Sequence, residues 1–273
     1  MTPSRRRFAE VVRSDTVDLG LACLLVGGEV EPDLDVDLPL ATLDSLAASA
    51  RQHVPPGSPP AVVAQALRTV LGEGAGFAGS QEDYDDVRAS LLHEVLRRGR
   101  GLPLLLSVVW LEVAARLDVP AYALALPGHV VVGLGDPDDE HVLVDPFAGG
   151  RVLDLDVVAR RLASAGWTMQ EARVLRPADI LLRLLTNIRV LTSRRPPALE
   201  VTATRLWAVE LSLLLPHHPV ELRRERGELL VRLGDHLGGA EELETYALVV
   251  AEADDDAAVA ARREARLARA QLN

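Results

Sequence analysis

The stretch GLPLLLSVVWLEVAARLD, Gly101 to Asp118, is apolar on nearly every face of a helix, broken only by Ser107, Glu112 and Arg116 before its end. A helix that is hydrophobic all round is buried, so the rest of the chain must fold to cover it. Pro103 is a natural first residue for it. A proline there gives up an N–H that would have no partner, and its φ is already near helical. Glu112 and Arg116 stand four apart in the favourable order and predict a surface ion pair worth roughly 0.2–0.5 kcal/mol.

Two strands follow, AYALAL to Leu126 and HVVVGL from His129, with the Pro127-Gly128 corner between them. The turn cluster GDPDDE leads to a third strand, HVLVDP, ending at Asp145-Pro146. A hairpin folded about Pro137 places His129 directly opposite Asp145, with Cβ atoms about 5 Å apart on one face. A His and an Asp so placed share a hydrogen bond that fixes the imidazole tautomer, as the orienting half of a catalytic triad does. A one-residue slip would remove the pairing. His141 lies on the same face about 13 Å away, too far to join them as a metal ligand. The third member would be a nucleophile at the start of the buried helix, where the dipole and free N–H groups lower a thiol's pKa. Pro103 stands there and has no ionisable atom.

These patterns predict an α+β fold with three regions. Residues 1–72 read as helical, through FAEVVR, DLGLACLLVGGEV, LPLATLDSLAASARQHV and, after the PPGSPP break, AVVAQALRTVLG. Residues 73–177 carry a buried helix packed on a small antiparallel sheet. Residues 178–273 are all-helical and repeat-like. There RGELLVRLGDHLGGAEELETY, Arg226 to Tyr246, has the Leu-Gly turn and small-residue spacing of a degenerate tetratricopeptide unit. Such helix pairs form peptide-binding surfaces or serve as a helical cap.

Composition narrows the functional classes. The net charge is −11 and every basic residue is Arg, with no Lys in the chain. Nucleic-acid binding relies on clustered cations at phosphates, and a run as short as Arg5–Arg7 does not supply them. The abundance of Ala, Leu, Val, Arg and Asp points to a GC-rich bacterial genome. Cys23 is the single cysteine, which excludes an internal disulfide and a Cys-rich zinc site. Its apolar run, LGLACLLVGG, is too short to span a bilayer and follows Asp15 and Asp18, unlike a signal peptide. The expected location is the cytoplasm, with no membrane partner, and Cys23 reads as a small buried hydrophobe. No cofactor or metal is expected. The acidic QEDYDDVR, Gln81 to Arg88, lacks the calcium-loop pattern and reads as a solvated helix start. PFAGGR reads as a turn in which Gly149-Gly150 supply unusual φ values, with Arg151 beside it able to hold a carboxylate.

The order Gly101-Leu102-Pro103, buried helix, LDVPA, strand, His129, hairpin, VDP resembles the transglutaminase-like superfamily, a branch of the papain-like fold. More closely, the chain resembles the SirB1-type transglutaminase-like family, through GEGAGFAGSQEDYDDVRASLLHEVLRRGRGLPLLLS, LEVAARLDVPAYALALPGHVVVGL, VDPFAGGRVL and the helical tail. The resemblance covers about Gly72 to Tyr246. It implies that Pro103 stands at the superfamily's catalytic Cys, His129 at its His and Asp145 at its Asp. The SirB1-type branch generally has proline at the first position, which implies the fold without the usual thiol chemistry. Where relatives tend to have Ser two residues later, this chain has Leu105, which weakens a substitute serine. Ser107 remains, one turn inside the helix.

Three functional classes fit. The first, favoured by Pro103 and Leu105, is a non-catalytic transglutaminase-like protein binding a polypeptide through a vestigial cleft and its helical C-terminal region. The second is an amide or ester hydrolase or acyltransferase with Ser107 or Cys23 as nucleophile and His129 and Asp145 behind it. The third is a structural subunit of a larger assembly. Without lysine, self-cross-linking through its own side chains is excluded.

Overall fold

Thr2 and Asp18 each cap a helix, their side-chain oxygens accepting from the backbone N–H of Arg5 and Leu21. These caps start α1 (Pro3–Val11) and α2 (Leu19–Gly27). The first unit continues with α3 (Asp37–Arg51), α4 (Pro60–Leu67), α5 (Leu92–Arg98) and α6 (Pro103–Arg116). The computed structural model describes residues 2–168 and 172–272, apart from the side chain at 161. It divides the chain into two units, Met1–Ile180 and Leu181–Asn273.

Helix α6 is the centre of the first unit. Leu105, Leu106, Ser107, Val108, Val109 and Trp110 have no exposed surface, as the all-round apolar pattern requires. α2 and α3 pack on it. Glu112 departs from the surface pair expected of it. Its carboxylate accepts from the Gly20 backbone N–H of α2 at 2.9 Å and from Arg116 at 2.7 Å, while Arg116 also reaches Asp44 of α3. The pair is a half-buried tie among three helices, because α2 has no side chain at Gly20 to keep the carboxylate away.

The sheet has five strands in the order β4-β3-β2-β1-β5, all paired antiparallel. Its central strands β1 (Ala121–Leu126), β2 (His129–Gly135) and β3 (His141–Asp145) are the three that alternation predicts. The edges, β4 (Arg151–Val152) and β5 (Arg173–Leu175), are too short to show a period in the sequence. Between them lies α7 (Leu155–Ser164). One sheet face carries Leu124, Leu126, Val131 and Leu143 against Val158 and Leu162 of α7. The other meets α6 and α4.

The hairpin register differs from expectation by two residues. Val132 pairs with Val144 and Gly135 with His141, so the turn centres on Asp138, not Pro137. Asp136 sets this, accepting the Asp138 N–H on its side chain at 2.9 Å and the Asp139 N–H on its carbonyl at 3.1 Å.

In the second unit, helices run through α8 (Pro177–Ser193, which begins in the first), α9 (Leu199–Ser212), α10 (Glu221–Arg232), α11 (His236–Val250) and α12 (Asp255–Ala270). α10 and α11 come together backbone to backbone: a Cβ at Gly227 would stand 2.9 Å from the Gly239 carbonyl, and one at Gly239 2.7 Å from that of Gly227. Ala240, Ala265 and Ala268 continue this small-residue packing between α11 and α12. Arg189 and Arg205 both pair with Glu225, and Arg226 bridges Glu210 and Glu242. Among the described residues no helix is long and apolar enough to cross a membrane.

Candidate functional site

The Pro127-Gly128 corner, with Gly128 at φ 67°, returns the chain so that Leu126 pairs with His129. Its imidazole Nε2 lies 2.9 Å from Asp145 Oδ1. In the observed register these two residues are diagonal neighbours, since the position opposite Asp145 is that of Val131. A shift of two preserves the face, because side chains alternate with period two. Direct opposition is thus corrected, and the contact survives. Both side chains are buried, at 6% and 9% exposure.

Asp145 is held from its own turn as well. Its Oδ1 accepts the Phe147 N–H at 3.0 Å, and its carbonyl accepts the Gly150 N–H at 2.8 Å. Gly149 and Gly150 take φ of 68° and 80°, as expected of the PFAGGR turn. Burial pushes the Asp145 carboxyl up, but the His129 bond and charge and the N–H groups of Ala148 and Phe147 outweigh it and hold the group below the usual carboxylate range. An ionised Asp145 accepts from Nε2–H and leaves the lone pair on Nδ1, the nitrogen a general base would use. Phe147 stacks edge-on against His129, with centroids 5.8 Å apart, and against Tyr84 at 5.9 Å. A Cβ at Gly79 would meet the Phe147 ring at 1.9 Å, so this glycine lets the ring lie over its backbone. Phe147, Tyr84 and Gly79 were not singled out from sequence. The signal available for them was their place in two of the stretches that carry the family resemblance.

Pro103 is the first residue of α6, buried, and preceded by Leu102, whose side chain caps nothing. Ser107 has no exposed surface, and its hydroxyl donates to the Pro103 carbonyl at 2.8 Å, with the Val130 carbonyl at 3.5 Å. The start of β2 therefore lies against the first turn of α6, but both oxygens near the Ser107 hydroxyl are carbonyls. Leu105 is fully buried beside it. Cys23 is fully buried on α2, and burial, then Glu112 and Asp18, push its thiol far up, so it is not a thiolate.

Arg151 pairs directly with Asp145 in the β3–β4 register and is exposed. His141 pairs with Gly135 at the far end of β2, and its ring lies edge-on to Tyr122. The acidic stretch is not wholly solvated as expected. Asp83 is 1% exposed, accepts the Ser80 N–H and pairs with Arg100, because the capping box of this short 3-10 turn draws it inward. Among the described residues no group of three His, Cys, Asp or Glu could hold a metal ion. A groove of about 680 Å³ lies elsewhere, bordered by Gly135. That residue is six positions and about 20 Å along β2 from His129.

A buried helix opened at Pro103, a His-Asp pair on the adjoining sheet and a tail of small-residue helix pairs define the class. The chain matches the transglutaminase-like superfamily over residues 39–186 and the tetratricopeptide repeat over residues 198–273, and it belongs to that superfamily. Within it, the chain belongs to the UPF0162 family, with which the SirB1-type resemblance is consistent. It is 32% identical over 250 residues to a UPF0162 protein of Xylella fastidiosa, covering 86% of this chain and 85% of that one. A UPF0162 protein of Pseudomonas aeruginosa is 32% identical over 152 residues, covering 54% and 55%. A shorter likeness, 29% over 98 residues, reaches F-box only protein 21 of Mus musculus, covering 33% of this chain and 16% of that one.

Proposed function

We propose that this is a non-catalytic transglutaminase-like protein of the bacterial cytoplasm that binds a polypeptide. The observation that carries the reading is the contrast at the vestigial triad. His129 and Asp145 keep a 2.9 Å hydrogen bond, while the nucleophile's place is a buried proline. Without an attacking atom, the pair serves as a polar anchor: Nδ1 accepts from a peptide N–H, and the Phe147 ring beside it supplies apolar area. The tetratricopeptide-like region gives a second contact surface, since stacked helix pairs present extended faces to peptides. Ser107, bonded to a carbonyl of its own helix, and Cys23, buried as a neutral thiol, give little support to the hydrolase reading.

The test is to screen the purified full chain for amide and ester hydrolysis and for amine incorporation over a broad peptide panel, beside His129→Ala, Ser107→Ala and Cys23→Ala. The expected result is no turnover above the variants, with peptides selected on the wild-type chain losing affinity for His129→Ala. Turnover abolished by His129→Ala together with Ser107→Ala or Cys23→Ala would overturn the reading and identify the nucleophile.

A further inference from the structure

We propose that the groove at the far end of β2 is a separate binding site, for an extended peptide segment that offers one Arg or Lys side chain to Asp118. The groove holds about 680 Å³, within the roughly 300–1,000 Å³ of ordinary ligand sites. Its walls include Pro55, Pro56, Pro60 and Pro120. Prolines are rigid and carry no N–H, so these walls present apolar faces and carbonyl acceptors to an occupant, without backbone donors. Helices α3 and α6 both end at the groove, their cap residues Gln52 and Leu117 lining it. Helix C-termini carry partial negative charge and favour cations.

Asp118 gives the site its specific group. It follows the C-cap of α6 with φ 59°, the left-handed conformation for which glycine is the ordinary residue. Aspartate tolerates this conformation better than most residues, yet a glycine would remove the strain. Strain retained beside a groove points to a use for the side chain. The Asp118 carboxylate is exposed and makes no hydrogen bond or ion pair among the described residues. Beyond Gly135 the β2–β3 turn adds Asp136, Asp138, Asp139 and Glu140 to the same rim. Arg51, the one basic residue lining the groove, has its guanidinium tied to the Arg116 carbonyl. The field at the mouth is therefore negative, and the apolar walls favour a cation flanked by apolar side chains over a polycation.

The experiment is fluorescence anisotropy on the full chain with labelled hexapeptides Ala-Pro-Arg-Val-Pro-Ala and the same sequence carrying Glu or citrulline in place of Arg. The Arg peptide is expected to bind saturably, more weakly as salt rises, and at least about fivefold more tightly than the other two. Asp118→Gly relieves the left-handed backbone, so thermal stability should hold or rise while affinity falls about fivefold. Asp118→Asn should lose affinity likewise, and Ser58→Arg, which brings a cation onto the lining, should abolish binding. His129→Ala should leave this affinity unchanged, which separates the site from the His-Asp pair. Four results would each overturn the proposal: no saturable binding of the Arg peptide, equal binding of the Glu peptide, unchanged affinity in Asp118→Gly, or spermidine binding here more tightly than the peptide.

Discussion

His129 meets Asp145 along a diagonal of the sheet, two residues from direct opposition, and the 2.9 Å bond closes because Asp145 is also fixed by the N–H of Phe147. The turn after β3 thus aims the carboxylate back toward the start of β2. A buried hydrogen bond to a charged group contributes about 2 kcal/mol. A double-mutant cycle with His129→Ala and Asp145→Ala should give a coupling near that value by urea denaturation. A coupling near zero would mean that the two side chains are held independently.

The depressed Asp145 carboxyl fixes a pH dependence. An unfolded Asp titrates near about 3.9. With the folded pKa lower, the group's stabilisation is complete above the unfolded value and is lost as pH falls through the folded one. The stability gap between wild type and Asp145→Asn should therefore be flat from pH 8 to 5 and narrow below about pH 4.

His93 on α5 gives a second dependence in a different window. Its Nδ1 is buried without a hydrogen-bond partner, against the position a Cβ would take at Gly27. Burial depresses its pKa, against the pull of Glu94 and Glu31 and with Arg97 adding to the depression. Protons then bind the unfolded chain first as pH falls below about 6.5, so stability declines by at most about 1.4 kcal/mol per unit. Urea midpoints from pH 7.5 to 5.5 should fall less steeply in His93→Gln than in wild type.

Cys23 should be inert in the folded protein. It has no exposed surface and its thiol is held neutral. Ellman's reagent should label no thiol in buffer and one in guanidinium, since the chain holds a single cysteine. Rapid labelling of native protein would contradict the burial.

Gly239 lets α11 lie against α10. A Cβ there would stand 2.5 Å from Val231 Cγ2 and 2.7 Å from the Gly227 carbonyl. Overpacking of this kind costs about 1–3 kcal/mol, offset in part by alanine's better helix propensity. Gly239→Ala should lower stability by about 1–2 kcal/mol in a calorimetric melt.

Local rules were enough to place α6 and its proline start, the three central strands and the helix pair split near Gly234, because each rests on a period, a cap or a turn residue within a few positions. The same rules set the shared face of His129 and Asp145, since alternation survives an even shift of register. Tertiary structure decided the rest. The register itself came from one Asp136 side chain closing the hairpin loop. Edge strands of two and three residues exist through pairing with β3 and β1 and have no pattern of their own. Glu112 became a buried tie because Gly20, 92 residues earlier, left room for it. The Phe147 ring over His129 depends on Gly79, and the groove at Asp118 on helix ends and a proline loop brought together from distant sequence. Contacts of that range depend on where whole elements pack, which no local window of sequence records.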